Sequence, residues 1–369
     1  MNQQMDEPPA VPALEVLDQI TAYIHQVGIF RAALELQIWA KVAAGEDNAE
    51  TIASAHHWDP MATRLLLDDL CAMKLLAHEG NRYRLIPEAE QYLLPDKPTY
   101  VGRYLQSEFA WEANGELAEA IRTGKRPIGH RATTTELEDT WIGMYAGNLA
   151  VPQTYLAKAD KMWQELGIEP RAGLEVLDLA CGPAPRSFAL ARAHPGVRAT
   201  LLDWEQILAA AGKVAAHLGI GSQVTLLPGD LWAVPYPSQQ YDVVYLGDIT
   251  HFFSPEQNIR LFRRAREALV QGGTVVVYAV RRENPNPLAP GLWYFAISDG
   301  GATWDFQEYE DMLQRAGYSD IVDVNKQPIK ATKRSAREAT PSPLQESFTP
   351  HVCQLSLRTM QTLGRSFQG

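Results

Sequence analysis

The spacing of hydrophobic residues changes along the chain. It separates an N-terminal region with a helical pattern from a later region in which strand and helix patterns alternate. Over residues 13–44, apolar side chains recur every three or four positions, as on one face of a helix. Another helical pattern begins after Asp59, a residue that suits an N-cap. Two short apolar runs then flank Gly80 and Asn81, a pair typical of a hairpin turn. Helices followed by a hairpin within residues 1–100 are typical of a winged helix.

From Leu174 onward the pattern is one of strands alternating with helices. Apolar runs of strand length follow one another as LEVLDLA, RATLLDW, QVTLL, YDVVYLG and TVVVYAV. Helical patterns at 186–194, 205–218 and 255–269 separate most of them, and 318–333 supplies the last strands. Strands that are apolar on both faces and alternate with helices predict an α/β fold with a doubly wound parallel sheet.

Charge and composition narrow the range of partners. The chain of 369 residues is 46% hydrophobic and carries a formal net charge of -11. Residues 1–100 contain seven Lys or Arg against fifteen Asp or Glu, so the predicted winged helix lacks the basic surface that binds DNA. We therefore expect no nucleic-acid partner, and a dimerisation or substrate-lid role for this region.

Targeting signals are not evident in the sequence. No apolar run reaches the roughly 18 residues of a membrane span, and the first residues lack the basic and apolar segments of a signal peptide. The three cysteines are widely spaced and provide no disulfide framework or metal-binding pattern. We expect a cytoplasmic protein without a membrane partner and without a metal site.

Small and acidic residues follow the first predicted strand. The strand runs into Asp178, Ala180 and Gly182, at the edge of the sheet where open α/β folds bind ligands. Small residues there allow a ligand to approach the backbone, and the next helix offers its N-terminal amides. The G-x-G-x-x-G motif of dinucleotide sites is absent, which argues against a pyrophosphate and favours an adenosyl cofactor without phosphates.

Two further strand ends complete the predicted cofactor site. Asp203 ends the second strand, where a carboxylate can accept hydrogen bonds from both ribose hydroxyls. Trp204 follows and can pack on the sugar or the adenine. Asp230 and Leu231 end the third strand, where a carboxylate can accept a hydrogen bond from an adenine amino group. Acids at successive strand ends, together with the small-residue turn, predict a site for S-adenosylmethionine.

These motifs resemble those of the class I methyltransferases. VLDLACGPAP is similar to the first motif of that family, TLLDW to the acidic end of its second strand, PGDLW to its adenine edge, and LVQGGTVVVY to its later strand. With the helical front, residues 13–325 resemble the two-domain O-methyltransferases of plant phenolic and bacterial natural-product pathways. The resemblance implies a Rossmann-like fold, S-adenosyl-L-methionine as methyl donor, a small-molecule acceptor and a homodimer formed through the N-terminal domain.

The resemblance divides the chain into four parts. Residues 1–100 are expected to form a mainly α, winged-helix-like dimerisation domain, and 101–170 a helical connector with pocket helices. Residues 171–334 are expected to form the methyltransferase domain that binds S-adenosylmethionine. Residues 335–369, rich in Pro, Ser, Thr and Gln, are expected to be a flexible tail.

The catalytic base of that family is a histidine in a His-Asp-Trp-Ser-Asp-Glu motif after the fourth strand. The matching stretch runs from His251 to Glu256, with Phe253 in place of the Trp and Pro255 in place of the second Asp. Four residues before the His, Gly247 stands where the family has a lysine near the cofactor. The resemblance implies that His251 is a general base that removes the acceptor's proton. The alternative is a histidine that only shapes the pocket.

Aromatic residues indicate where the acceptor binds. Trp141, Met144 and Tyr145 lie just before the second domain and are candidates for the acceptor pocket. Segment 284–305 is rich in Pro, Gly and aromatic residues, including Trp293. It is expected to form either an apolar lid over the substrate or a second packing surface of the dimer.

The function predicted from these features is O-methylation of an aromatic or polyketide-like secondary metabolite. A C- or N-methyltransferase on the same scaffold is an alternative, because an enolisable carbon acid also needs a base. A non-catalytic regulatory protein is a more distant alternative, supported only by the altered histidine motif.

Overall fold

The computed structural model describes residues 15–126, 134–145, 152–286, 290–298, 300–326 and 328–333. The predicted flexible tail at 335–369 lies outside the described residues.

The front of the chain contains the helices and the hairpin predicted from its pattern. The elements are α1 (Glu15–Glu35), α2 (Ile38–Ala43), α3 (Ala49–His56), α4 (Pro60–Ala72), β1 (Ala77–Glu79), β2 (Arg82–Arg84) and α5 (Pro87–Tyr92). Asp59 caps α4 as predicted, since its carboxylate accepts a hydrogen bond of 2.8 Å from the backbone N–H of Ala62. The single helix predicted over 13–44 is wrong in one respect: Gln37 adopts a left-handed conformation (φ 53°) and divides it into α1 and α2.

A set of shorter helices connects this front to the sheet. They are α6 (Gly102–Leu105), α7 (Glu112–Gly115), α8 (Leu117–Thr123), α9 (Thr134–Met144) and α10 (Pro152–Glu165). The indole N–H of Trp163 on α10 donates a hydrogen bond of 2.7 Å to the backbone carbonyl of Arg186, which fixes the connector to the sheet domain.

The second half of the described chain is a seven-stranded sheet flanked by helices. Its strands are β3 (Glu175–Leu179), β4 (Arg198–Asp203), β5 (Val224–Pro228), β6 (Tyr241–Gly247), β7 (Leu269–Tyr278), β8 (Tyr318–Asp323) and β9 (Pro328–Lys333). The helices are α11 (Pro185–Ala193), α12 (Glu205–His217), α13 (Pro255–Ala268), α14 (Gly291–Ile297) and α15 (Phe306–Arg315).

The strand order is β5-β4-β3-β6-β7-β9-β8, and this order creates the ligand site. Strands β5, β4, β3, β6 and β7 are parallel, whereas β9 runs antiparallel to both β7 and β8. After β3 the chain moves to β4 and β5 on one side, and then returns to β6 on the other. A crevice therefore opens beyond the carboxyl ends of β3 and β6. The predicted α/β fold is confirmed.

The core lies on both faces of the sheet because successive side chains of a strand point to opposite sides. Val176 packs with Trp163 and Phe188 on one face. Leu177, the next residue, packs with Phe262 on the other face. All five side chains are buried, which explains why these strands appear in the sequence as continuous apolar runs.

Candidate active site

The turn after β3 brings backbone close to the crevice. Ala180 and Gly182 have φ values of 54° and 55°, in the left-handed region, and Ala184 (φ 52°) precedes α11. A Cβ atom added to Gly182 would lie 3.0 Å from the ring of Tyr145. The absence of a side chain at Gly182 is therefore required both by the turn and by the aromatic ring above it.

Asp178 lies beneath this turn and is 1% exposed. One carboxylate oxygen accepts a hydrogen bond of 2.6 Å from the hydroxyl of Ser187, and the other has no partner among the described residues. Burial raises the pKa of Asp178 to about 7, against the opposing effects of Ser187 and Arg186. A buried carboxylate oxygen without a partner is a group that a bound ammonium can satisfy.

Asp203 at the end of β4 is tied to the same turn. Its two carboxylate oxygens accept hydrogen bonds of 2.8 Å from the backbone N–H groups of Gly182 and Trp204. Burial raises the pKa of Asp203 to about 6, although these hydrogen bonds lower it. Each oxygen retains a lone pair, so the side chain can still accept two hydroxyl hydrogen bonds.

The end of β5 contributes the third acidic residue. Gly229 has a φ of 144°, and Asp230 accepts a hydrogen bond of 2.6 Å from the backbone N–H of Trp232. This bond orders the turn and holds Asp230 beside the buried Leu231. The three predicted strand ends therefore converge on one side of the sheet.

A cavity that is partly open to solvent connects these strand ends to an aromatic region. The residues that border it are Phe109, Trp141, Tyr145, Ala180, Leu202, Asp203, Trp204, Ile207, Gly229, Asp230, Leu231, Trp232, Asp248, Ile249, Phe252, Phe253 and Ile297. Carboxylates and small residues form one end, and aromatic rings form the other.

The aromatic end is built by ring contacts between the connector and the sheet domain. Trp141 lies parallel to Tyr145 with centroids 6.3 Å apart, and it meets Phe252 edge-on at 5.3 Å. Phe109 packs on the same indole at 6.3 Å. These rings give the cavity an apolar aromatic wall, which suits an aromatic acceptor.

Met144 and Trp293 pack in the apolar cluster beside this wall and do not border the cavity. The indole N–H of Trp293 donates a hydrogen bond of 2.9 Å to the backbone carbonyl of Phe109. Helix α14 thus holds the wall in place, and Ile297 at its end borders the cavity.

His251 lies in a short 3₁₀ turn after β6 and is 2% exposed. Its ring packs on Tyr294 with centroids 3.9 Å apart, and on Phe252 at 4.8 Å. Burial lowers its pKa to about 3, and its Nδ1 has no partner among the described residues. The imidazole does not border the cavity, whereas Phe252 does. Its role as a general base therefore stays a prediction.

Met144, Trp293 and His251 pack beside the cavity, and the other predicted site residues occupy two kinds of position. Those that border the cavity are Ala180, Asp203, Trp204, Asp230, Leu231, Trp141 and Tyr145. Asp178, Gly182 and Gly247 lie at the adjoining strand ends without bordering it. An added Cβ on Gly247 would meet the ring of Tyr245 at 2.4 Å, so no side chain fits where the resembling family has a lysine.

Several residues that border the cavity were not predicted. Asp248 directly follows β6, just as Asp203 ends β4. Its place at a strand end was therefore enough to predict it as a site residue. Phe109 and Ile297 come from the connector and from α14, where no sequence pattern marks a pocket residue.

The described part of the chain holds no group of three or more His, Cys, Asp or Glu side chains arranged to bind a metal ion. Within the same residues, no helix combines the length and the apolar character needed to cross a membrane.

Comparison with known proteins agrees with this geometry. Residues 176–273, from β3 into β7, match the Methyltransferase domain family. The chain is 26% identical over 332 residues to the 3-hydroxy-5-methyl-1-naphthoate 3-O-methyltransferase of Streptomyces sahachiroi, covering 85% of this chain and 92% of that one. It is 27% identical over 276 residues to the L-tyrosine C(3)-methyltransferase of Streptomyces lavendulae, covering 70% and 74%.

A solved structure of PigF with SAH shares the fold. Its TM-score is 0.69 at 22% identity, and the match covers 88% of this chain and all (100%) of that one. The domain match and these relatives together identify the chain as an S-adenosylmethionine-dependent methyltransferase, similar to the two-domain O-methyltransferases of bacteria and plants.

Proposed function

We propose that the protein transfers a methyl group from S-adenosylmethionine to a hydroxyl group of an aromatic or polyketide-like small molecule. The observation that carries this proposal is the two-ended cavity. Asp203 and Asp230 border one end, and the rings of Trp141 and Phe252 border the other. A polar nucleoside and a flat apolar acceptor fit this division.

The residues at the strand ends fit the cofactor. Asp203 would accept hydrogen bonds from the ribose hydroxyls, and Asp230 one from the adenine amino group. The unpartnered oxygen of Asp178 would face the ammonium of the methionine part. When bound, the cofactor supplies a methyl group on a cationic sulfur.

The aromatic wall would perform most of the catalytic work by alignment. Methyl transfer needs the acceptor atom placed in line with the methyl group, and holding two reactants in place removes much of the entropic barrier. Phe109, Trp141 and Phe252 would hold a flat ring in one plane. Their apolar surfaces would also exclude water, which would otherwise compete with the acceptor for the methyl group.

His251 fits a role in shaping this wall better than a role as general base. Its pKa of about 3 keeps the imidazole neutral at physiological pH and makes it a weak proton acceptor. Its ring supports Phe252 and Tyr294, which pack on it from two sides. We expect loss of His251 to disturb the acceptor wall.

A C- or N-methyltransferase is the second candidate, favoured by the similarity to an L-tyrosine C(3)-methyltransferase. The cavity would hold an aromatic acceptor in either case. A panel of naphthols, aromatic amines and tyrosine analogues, incubated with methyl-labelled S-adenosylmethionine, separates the candidates. Label in a base-stable ether supports O-methylation, and label on carbon or nitrogen supports the second candidate. Cofactor binding without label in any compound would contradict the proposed acceptor class.

We further propose that the N-terminal region is a winged-helix-like domain that forms a homodimer through α1. Residues 15–28 of α1 are exposed or half-buried throughout, so this part of the helix has little packing of its own. Its large apolar side chains share one face and are 48–68% exposed: Val16, Leu17, Ile20, Tyr23, Ile24 and Val27. Met61 and Leu65 on α4 are also exposed. A second copy of the same face would bury these side chains.

A further inference from the structure

Asp248 occupies an unusual position at the end of β6. Its backbone lies in the left-handed region (φ 54°). Asp adopts this conformation more readily than most residues, although less readily than glycine. Its backbone N–H donates a hydrogen bond of 2.7 Å to the carbonyl of Tyr278 at the end of β7. This contact between neighbouring strand ends holds the turn, and with it the direction of the side chain.

Asp248 borders the same cavity as the proposed cofactor and acceptor residues. It borders the cavity together with Asp203 and Trp204 at the cofactor end and Phe252 at the acceptor end. Half of its side-chain surface (50%) is open. A ligand that fills the cavity would therefore meet Asp248.

Arg186 is the charged partner of Asp248. Its guanidinium lies 3.9 Å from the nearer carboxylate oxygen and 4.2 Å from the centroid of the Tyr278 ring. The 3.9 Å separation is too long for a hydrogen bond, so the carboxylate keeps its lone pairs for a ligand. The cation nonetheless favours the ionised form.

Burial raises the pKa of Asp248, and Arg186 lowers it. The other titratable groups that interact with it are tyrosines whose pKa values burial holds above their usual range, so they are neutral at physiological pH: Tyr145, Tyr245, Tyr278, Tyr294 and Tyr309. A carboxylate with a raised pKa is a stronger base than an ordinary one.

We propose that Asp248 is the catalytic base of this enzyme and accepts the proton that the acceptor loses. The inference rests on the proposed function and assigns to Asp248 the task that the resembling family gives to histidine. It differs from that family in the residue type and in the position, three residues before His251. The geometry favours it because Asp248 borders the cavity and the imidazole does not.

The step balances as follows for a hydroxyl acceptor. The acceptor oxygen forms a bond to the methyl carbon as the carbon–sulfur bond breaks, and the electron pair of that bond stays on sulfur. The acceptor's proton moves to a carboxylate oxygen of Asp248. The resulting carboxylic acid returns the proton to water after the methylated product leaves.

Asp248→Asn is the decisive variant because it keeps the shape and loses the basicity. Asp311→Asn, an exposed residue of α15 that pairs with Arg315, is the matched control. Two measurements are made on the wild type and both variants. Calorimetry gives the affinity for S-adenosylhomocysteine. Quenching of the cavity tryptophans, with saturating S-adenosylhomocysteine, gives the affinities for 1-naphthol and 1-methoxynaphthalene.

We expect S-adenosylhomocysteine to bind all three proteins with affinities within about threefold. The wild type and Asp311→Asn should bind 1-naphthol at least tenfold more tightly than its methyl ether, since a hydrogen bond to a charged group is worth about that much or more. Asp248→Asn should lose most of this preference. With any acceptor the wild type methylates, its kcat should fall at acidic pH, and Asp248→Asn should lower kcat at least 100-fold and abolish that acidic limb.

Two results would overturn the inference. One is a wild type that binds naphthol and its ether equally. The other is an Asp248→Asn protein that binds S-adenosylhomocysteine tenfold or more weakly while keeping the naphthol preference, which would assign Asp248 to the cofactor's ammonium. Failure of the wild type itself to bind S-adenosylhomocysteine would instead contradict the proposed function.

Discussion

Asp203 accepts a hydrogen bond of 2.8 Å from the backbone N–H of Gly182, and this bond joins the end of β4 to the turn after β3. The same carboxylate therefore orders the turn and borders the cofactor end of the cavity. If Asp203 binds the ribose as proposed, cofactor binding and the conformation of the turn are coupled through this one side chain. A change at Asp203 should affect both.

Asp203→Ala should weaken binding of S-adenosylhomocysteine about 10- to 100-fold, because hydrogen bonds to a charged group contribute about 1.5–3 kcal/mol. Isothermal calorimetry measures the loss. Asp203→Asn keeps a side-chain oxygen for the Gly182 N–H and should lose less affinity than Asp203→Ala. An affinity unchanged in both variants would remove Asp203 from the cofactor site.

Binding of the cofactor should release protons from Asp178. Its pKa of about 7 leaves this carboxyl partly protonated at neutral pH. A bound ammonium favours the charged form, so its pKa falls and about half a proton is released at pH 7. Calorimetry at pH 7 in buffers with different ionisation enthalpies measures this number. Asp178→Asn should release none, and equal proton release by wild type and variant would show that Asp178 does not face the ligand's charge.

Removal of His251 should change how stability depends on pH. The folded imidazole has a pKa of about 3, against 6.5 for the unfolded chain, so only the unfolded state takes up a proton as the pH falls below 6.5. Between pH 7 and pH 5 this difference should lower the free energy of unfolding of the wild type by about 2 kcal/mol relative to His251→Gln.

Urea unfolding at the two pH values measures this difference. His78→Gln, a substitution of an exposed histidine on β1, is the control and should follow the wild type. Parallel curves for wild type and His251→Gln would mean that the imidazole is accessible to protons in the folded protein.

A charge on the apolar face of α1 should separate the proposed dimer. Ile20 is 49% exposed, and Ile20→Glu would place a carboxylate in the contact between two copies. Analytical ultracentrifugation should show a dimer for the wild type and a monomer for this variant. His25→Glu, on the opposite side of the same helix, should remain dimeric. A wild type that is monomeric at micromolar concentration would contradict the assignment of α1.

Most of the fold could be predicted from the sequence because the spacing of hydrophobic residues indicates which segments are helices and which are strands. The continuous apolar runs at β3, β6 and β7 indicate strands that are buried on both faces, and the turn residues around Gly80 indicate the hairpin. The break at Gln37 escaped prediction because a glutamine in the left-handed region leaves no compositional signal.

The cofactor end of the site was predictable and the acceptor end only partly so. Acidic residues at the carboxyl ends of parallel strands lie at the same edge of the sheet, whatever conformation the loops adopt. The positions of Phe109, Trp293 and His251 depend on how the connector and α14 pack, which spacing along the chain does not encode. The departures from the family motif at Gly247 and Phe253 are the features of the sequence that set His251 apart from the histidine of the resembling family.

Titration calorimetry with S-adenosylhomocysteine tests the central claim most directly, namely that the ends of β3, β4 and β5 form one cofactor site. We predict one binding site per chain for the wild type, with affinity lost progressively in Asp203→Asn, Asp203→Ala and the double variant Asp203→Ala with Asp230→Ala. The absence of binding to the folded wild type, or equal affinity in all four proteins, would contradict it.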